Sequence, residues 1–596
     1  MSKARLLQVF LAFDALVLFL FMLATVVSSQ ANPTPTDVPT QIPNLTPLPA
    51  LLSGVVSDAS GPVAGATVQI QGTPNTTMTV DNGAFAFSGI TGTTPVILTA
   101  WSAGHYVGWT AVNPSAPDYK GGSGISIILK QLPTKDNSKY TGFTFEGMTG
   151  AAACGLCHRE YPEWQADAHA QSAKNIRFIT MYTGTDVNGD PGQVTQWNYD
   201  GTILPNDPSK PTHGPGFQLD NPGRAGNCAT CHTPLASTTP NNQNCAWSGC
   251  HLSLTIEQAN GVIGQPAIPV NLHGVAAEGI TCEFCHKVGD VIIDPKTNMP
   301  YPDMPGILSM KLFRPTDASQ DVFFGTLIDV QRQDSYLPLL SQSQFCSSCH
   351  YGVSGGVVGM GDVKDGTVIY NSYGEWLASP YSDPKTGLSC QDCHMPPANA
   401  KYMVFANRGG LVRNYAEMFD HTMPGASDTD LLTHAVTMTS NAQRSGDQLQ
   451  VQVSIVNDHT GHDVPTDAPM RSMILVVEAT DASGKTLTLT NGPVNPDYSG
   501  NYAKVPGKTF AKILKDNVTG EMPTSAFWRA VTIDSDNRLK PMETDTTNYS
   551  FAAPAGAATI HVRLLYRRAF AELEQQKGWN DPDILMADET LQVAAN

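Results

Sequence analysis

What most constrains this chain is one short pattern that recurs five times. Cys154-Gly155-Leu156-Cys157-His158, Cys228-Ala229-Thr230-Cys231-His232, Cys282-Glu283-Phe284-Cys285-His286, Cys346-Ser347-Ser348-Cys349-His350 and Cys390-Gln391-Asp392-Cys393-His394 each end a cysteine pair with a histidine. Chance would supply roughly 0.006 such occurrences at these Cys and His frequencies, so the repeat reflects chemistry. The remaining two of the 12 cysteines sit in a stretched version, Cys245-Ala246-Trp247-Ser248-Gly249-Cys250-His251. C-x-x-C-H is the attachment signature of c-type haem: two thiols form thioethers to the porphyrin and the next histidine becomes the proximal iron ligand. Disulfides would need no histidine after each pair, and Cys/His zinc sites would pair motifs at short, regular separations. For the stretched motif a small disulfide loop is the alternative, and the placement of His251 favours haem. The expectation is six covalently attached c-type haems, with His158, His232, His251, His286, His350 and His394 as proximal ligands. No cysteine is left for a lipid anchor, a structural disulfide or a thiol nucleophile.

Those six take part of the 15 histidines. Bis-His coordination of six irons needs six more, and the remaining supply suffices without methionine. His169 follows Trp164 on a helix just after the first motif, and His273 lies nine residues before Cys282. His213 sits beside Gly214-Pro215-Gly216, where a loop can press it onto a haem face. His421 in Asp420-His421-Thr422-Met423-Pro424-Gly425 and His434 in Thr433-His434-Ala435 extend the set. His459 and His462 compete within one turn; Gly461 permits close backbone approach and favours His462. His105 reads as a surface or turn residue. No residue is assigned a catalytic role.

Export is required for covalent haem attachment, and residues 1–31 suit it. Lys3 and Arg5 precede an apolar run from Leu6 to Val27, which serves equally as a signal peptide or as an N-terminal membrane anchor. Residues 32–50, rich in Pro and Thr, read as a stiff linker. The expected location is therefore extracytoplasmic, periplasmic or at the cell surface. A formal charge of −18 argues against nucleic acid as a partner. Charged residues are 15%, with 52 Gly and 43 Pro, which indicates turns and sheet over long helices.

The fold class follows: a multidomain chain with an N-terminal β-sandwich over 51–133, a loop-rich multihaem domain with short helices over 148–428, and a C-terminal β-sandwich over 429–596. In the first, short β-rich runs at Ser53–Ser57, Ala66–Ile70, Met78–Val80, Ala84–Phe87, Pro95–Ala100 and Ile125–Leu129 alternate with turns. In the last, Gln448–Val456, Met473–Ala479, Thr486–Thr490 and Thr559–Leu565 read as strands, followed by a helix near Arg568–Gln576. The haem region has too few residues per haem for separate cores, so the cofactors are expected to supply much of the interior. Asp186-Val187-Asn188-Gly189-Asp190 reads as a plain turn, since the rest of a calcium loop is missing. Arg563, Arg567 and Arg568 suit a structural role more than pairing with haem propionates.

Two resemblances bear on this. Gly54-Val55-Val56, Gly61-Pro62-Val63-Ala64-Gly65-Ala66-Thr67-Val68 and Asp81-Asn82-Gly83-Ala84-Phe85 resemble the carboxypeptidase regulatory-like domain, which implies an immunoglobulin-like module for adhesion or spacing. The repeated C-x-x-C-H motifs resemble the multihaem cytochrome c group that includes hydroxylamine oxidoreductase and the tetrahaem cytochromes of ammonia oxidisers. So do Tyr161-Pro162-Glu163-Trp164-Gln165-Ala166-Asp167-Ala168-His169 and His273-Gly274-Val275 before Cys282. That resemblance covers about half the chain and implies closely packed bis-His haems relaying electrons. The Lys-for-His motif that marks the active site of multihaem nitrite reductases is absent. An electron carrier is accordingly favoured, passing electrons between a respiratory chain and a redox partner protein or extracellular acceptor, with a membrane contact if the N-terminal segment stays uncleaved. The alternatives are a multihaem oxidoreductase acting on a small nitrogen or sulfur compound, and a surface adhesion protein with auxiliary haems.

Overall fold

The computed structural model describes residues 46–595, leaving aside 138–139, 141, 223–225, 227, 236–273, 355–365 and 554–555. The segment 1–31, most of the linker, the Cys245 to His251 motif and His273 thus lie outside the described residues. The described chain is mostly sheet, with several separate sheets and few, short helices.

Eight strands open the fold: β1 (Leu51–Asp58), β2 (Gly61–Pro62), β3 (Thr67–Ile70), β4 (Thr76–Met78), β5 (Ala84–Ser88), β6 (Val96–Trp101), β7 (Gly108–Val112) and β8 (Ile125–Ile128). One sheet runs β2-β1-β5, with β8 parallel to β1, and the other runs β4-β3-β6-β7. Side chains alternate across a strand, so Leu52, Val56, Phe85, Phe87 and Ile127 of the first sheet meet Val68, Ile70, Leu98, Ala100 and Val112 of the second in one core. Gly54 is needed for the approach of β8, because a Cβ there would lie 1.9 Å from the Ile125 carbonyl oxygen. His105 occupies a turn, its Nε2 3.1 Å from Asp58 Oδ2.

The middle of the chain is built from helices of three to eight residues and ladders of two to four. Its apolar clusters are small: the one around Phe284 joins Leu235, Val288, Val291, Ile307 and Leu339. Asp186 Oδ1 accepts from the backbone N–H of Asn188 and Asp190 at 2.8 and 2.9 Å, which makes that segment an Asx-type turn.

The C-terminal part has nine strands: β9 (Thr437–Ser445), β10 (Gln448–Val456), β11 (Ser472–Asp481), β12 (Leu489–Asn491), β13 (Gly507–Asp516), β14 (Val531–Asp536), β15 (Thr544–Ala552), β16 (Ala558–Arg567) and β17 (Ile584–Val593). They form two sheets, β9-β10-β15-β12 and β14-β13-β11-β16-β17, which close on one continuous core that includes Leu449, Val451, Val453, Met473, Leu475, Val477, Ile560 and Val562. Arg567 binds Asp583 and Asn501, Arg563 binds Glu478, and Arg568 stands 3.4 Å from Asp581. All three therefore pair within the protein.

Buried polar contacts join the parts. Asp329 receives Arg413 and the backbone N–H of Gly72 in the first sandwich. Asp220 receives Arg529 and Trp528 Nε1 from the last, and Lys577 Nζ donates to the carbonyls of Thr180 and Pro215.

Candidate functional site

Every described cysteine pair lies on or beside a helical turn: Ala151–Gly155, Ala229–His232, Cys282–Lys287, Gln344–Ser347 and Cys390–His394. Positions i, i+3 and i+4 share one face of such a turn. The histidine N–H closes it onto the first cysteine's carbonyl at 2.9 Å for His158, 3.0 Å for His232 and 3.1 Å for His350. Polar caps start two of these turns. Thr281 accepts from the Phe284 N–H at 3.0 Å, and Ser389 forms a reciprocal capping box with Asp392. The buried Lys287, directly after His286, binds Asp321 and anchors its helix.

The motifs converge although they are dispersed in sequence. Cys154 lies near Cys282, Cys231 near Cys349, and Cys346 near Cys390. Histidines from elsewhere then face the motif histidines. His421 and His286 have ring centroids 6.5 Å apart and planes inclined by 22°; His462 and His394 stand 6.3 Å apart at 18°; His169 and His350 stand 6.2 Å apart at 67°.

That spacing tests whether a metal fits between each pair. A metal–imidazole bond of about 2 Å on each side, with about 1.1 Å from each nitrogen to its ring centre, puts two axial imidazoles roughly 6.3 Å apart. All three pairs fit. The Nδ1 atoms are engaged elsewhere: His286 with Phe324 O at 2.6 Å, His421 with Phe419 O at 2.9 Å, His394 with Pro424 O at 2.7 Å, His462 with Asp463 O at 3.0 Å and His169 with Asp167 Oδ2 at 2.8 Å. Nε2 is left as the nitrogen available to a metal in these. Burial holds His286, His394 and His232 down to about 4 and also lowers His462, so these rings are neutral at neutral pH and keep a lone pair. At His350 burial acts in the same sense but is outweighed by Asp467, which raises it.

The other candidates stand apart. His213 has a buried Nε2 with no hydrogen-bond partner among the described residues, the condition of a nitrogen that awaits a ligand partner. His158 Nδ1 is 3.7 Å from Glu160 Oε2, and His232 stacks on Phe178 at 3.8 Å; among the described residues neither faces a second imidazole. His434 is exposed at the end of the helix Thr429–Thr433, its Nδ1 2.7 Å from the Asp430 carbonyl. His459 is also exposed and binds Asp458.

Several supporting residues were not read from the sequence. Glu375 accepts from Arg538, Thr466 Oγ1 and the Asp463 N–H, tying the His462 loop to the helix Ser372–Leu377. Glu163 accepts the His421 N–H at 3.1 Å. Asp167 had a local signal, an acid two residues before a candidate ligand. Glu375 and Arg538 had none, being 163 residues apart.

No family model matches the chain, and no curated protein matches it. Among solved structures it is similar to a penta-haem cytochrome c552 from Thermochromatium tepidum, with 19% identity, 74% of this chain and 98% of that chain covered, and a TM-score of 0.47. It is also similar to the ASH/PapD-like domain of human CEP192, with 7% identity, 28% and 87% covered, and a TM-score of 0.12. Both scores are low, and the functional argument rests on the histidine geometry instead.

Proposed function

We propose that this chain is an extracytoplasmic multihaem c-type cytochrome that carries electrons between a respiratory chain and an external partner or acceptor. The observation that carries the reading is the spacing of three histidine pairs, each joining a histidine that follows a cysteine pair to one from a distant segment. When bound, c-type haem supplies one-electron iron chemistry. The chain's own residues attach, orient and enclose it. Cys154, Cys157, Cys228, Cys231, Cys282, Cys285, Cys346, Cys349, Cys390 and Cys393 are the thioether donors, joined in this proposal by Cys245 and Cys250 for a sixth group. His158, His232, His251, His286, His350 and His394 would hold one side of the iron. His169, His421 and His462 would hold the other side at three centres, and His213, His273 and His434 would complete the set.

Closed coordination at the three paired centres favours a carrier. An iron with histidine on both faces has no free position for a substrate. Pyridine haemochrome assay with intact mass tests the reading. Six covalent haems per chain are expected, five would remove Cys245 to His251 from the set, and none would overturn the proposal.

A further inference from the structure

The three histidine pairs differ in what their Nδ1 atoms meet. In His286–His421 and His394–His462 all four Nδ1 atoms face backbone carbonyls, at 2.6 to 3.0 Å. In His169–His350 both face carboxylates: Asp167 Oδ2 at 2.8 Å from His169, and Asp467 Oδ2 at 3.7 Å from His350. The first is a hydrogen bond and the second an electrostatic contact. Asp167 is 1% exposed, also accepts the His169 N–H at 2.7 Å, and its Oδ1 has no partner among the described residues. Its charge is therefore directed at His169. Asp467 is shared, since Arg471 Nη1 stands 3.9 Å away and the carboxylate's charge also reaches His462 and His232. Asp467 comes from the C-terminal sandwich and Asp167 from the segment after the first motif, so two distant parts of the chain place negative charge at one centre.

A carboxylate that accepts the Nδ1–H of a ligating imidazole makes the other nitrogen a stronger electron donor, whereas a neutral carbonyl does so far less. Stronger donation and nearby negative charge both stabilise ferric over ferrous iron and lower the reduction potential. We propose that His169–His350 marks a low-potential centre, below those at His286–His421 and His394–His462, with Asp167 the principal positioning and tuning residue and Asp467 a secondary one. The inference rests on the cytochrome reading given above. The different ring crossing supplies a label: at 67°, against 18° and 22°, this centre gives a large-g, axial low-spin signal and the other two give rhombic ones.

The test is a potentiometric titration of the haem-loaded full chain, followed by absorbance and electron paramagnetic resonance. In the wild type the large-g component is expected to titrate below the rhombic ones. Asp167→Asn keeps the shape and removes the charge. It should raise the midpoint of that component, shifting its equilibrium at least tenfold toward the reduced form, about 59 mV for one electron, and leave the rhombic components in place. Asp167→Glu should restore part of the shift, and Asp467→Asn should raise the same component by less than Asp167→Asn does, with a still smaller rise at the His394–His462 centre. Should Asp167→Asn fail to fold, the wild-type order of potentials and Asp467→Asn decide. Unchanged midpoints in both variants, a shift downward, or a shift confined to a rhombic component would overturn the inference. Haem content and spin state measured on the same samples separate the two claims: absent haem would sink the cytochrome reading, whereas intact low-spin haems with unmoved potentials would sink this inference alone.

Discussion

Arg538 is the residue whose loss should propagate furthest from the C-terminal sandwich into the site. Its guanidinium meets Glu375 Oε1 at 2.7 Å, Asp463 Oδ2 at 3.0 Å and Asp536 at 2.8 Å through two parallel bonds. The side chain is 6% exposed, and Glu375 and Asp463 are 7% and 11% exposed. Arg538→Met retains most of the packing volume and strands three carboxylates around an uncharged group. Breaking a buried charge pair by removing one partner costs roughly 3–5 kcal/mol. For a unit of about this size each kcal/mol lowers Tm by about 2–4 °C, so the transition of the C-terminal sandwich should fall by roughly 6–20 °C. Calorimetry or circular dichroism in the 210–230 nm range, read with about 1 °C precision, resolves this. Because Glu375 also holds the Asp463 N–H and Thr466, the variant should in addition loosen His462 and give one iron partial high-spin character. A Tm change under about 2 °C, equivalent to less than about 1 kcal/mol, would refute the claim that this cluster clamps the sandwich onto the site.

Three further outcomes are expected. His462→Ala should convert one centre to high spin and open it to carbon monoxide, while His459→Ala, a change at an exposed side chain, should leave the spectrum as it is; a reversed result would make His459 the ligand. Gly54→Ala should destabilise the N-terminal sandwich at the upper end of the roughly 1–3 kcal/mol typical of overpacking, because the new Cβ meets the Ile125 carbonyl; an unchanged first calorimetric transition would contradict that. Burial pushes the Asp334 carboxyl up to about 8 against the pull of Arg332. Its protonated form is thus favoured by folding, and the associated stability is lost as pH rises from about 4, the unfolded value, towards 8. Asp334→Asn should flatten that decline in denaturant titrations across the window, and an unaltered pH profile would count against it.

Parts of this architecture were legible because their chemistry is scarce. Cysteine pairs followed by histidine have few explanations, and a helical turn is the local structure that brings i, i+3 and i+4 together. Gly461-His462 stands out in the sequence because a glycine permits close approach, and its ring centroid lies 6.3 Å from that of His394. Strands with strict alternation such as Gln448–Val456 were equally readable. Others were obscured by polar edges. Thr437–Ser445 is an edge strand of mostly polar residues, Ile584–Val593 is another edge carrying Asp588 and Glu589, and Gly507–Asp516 holds Lys508, Lys512 and Lys515 between its apolar positions. Residues that orient the candidate histidines were the least legible. Asp467 and Arg538 reach the site from the C-terminal sandwich, and nothing in their neighbours' identities announces that they meet His350 or Glu375. Tertiary proximity alone creates those roles.

The central claim is that histidines remote in sequence share one iron with motif histidines. An experimental density map of the haem-loaded chain at a resolution that separates axial ligands tests it most directly. A porphyrin is expected between His286 and His421, between His394 and His462 and between His169 and His350, each joined by thioethers to the cysteine pair preceding its motif histidine. A porphyrin at any of these cysteine pairs whose iron carries a different sixth ligand, or none, would contradict it.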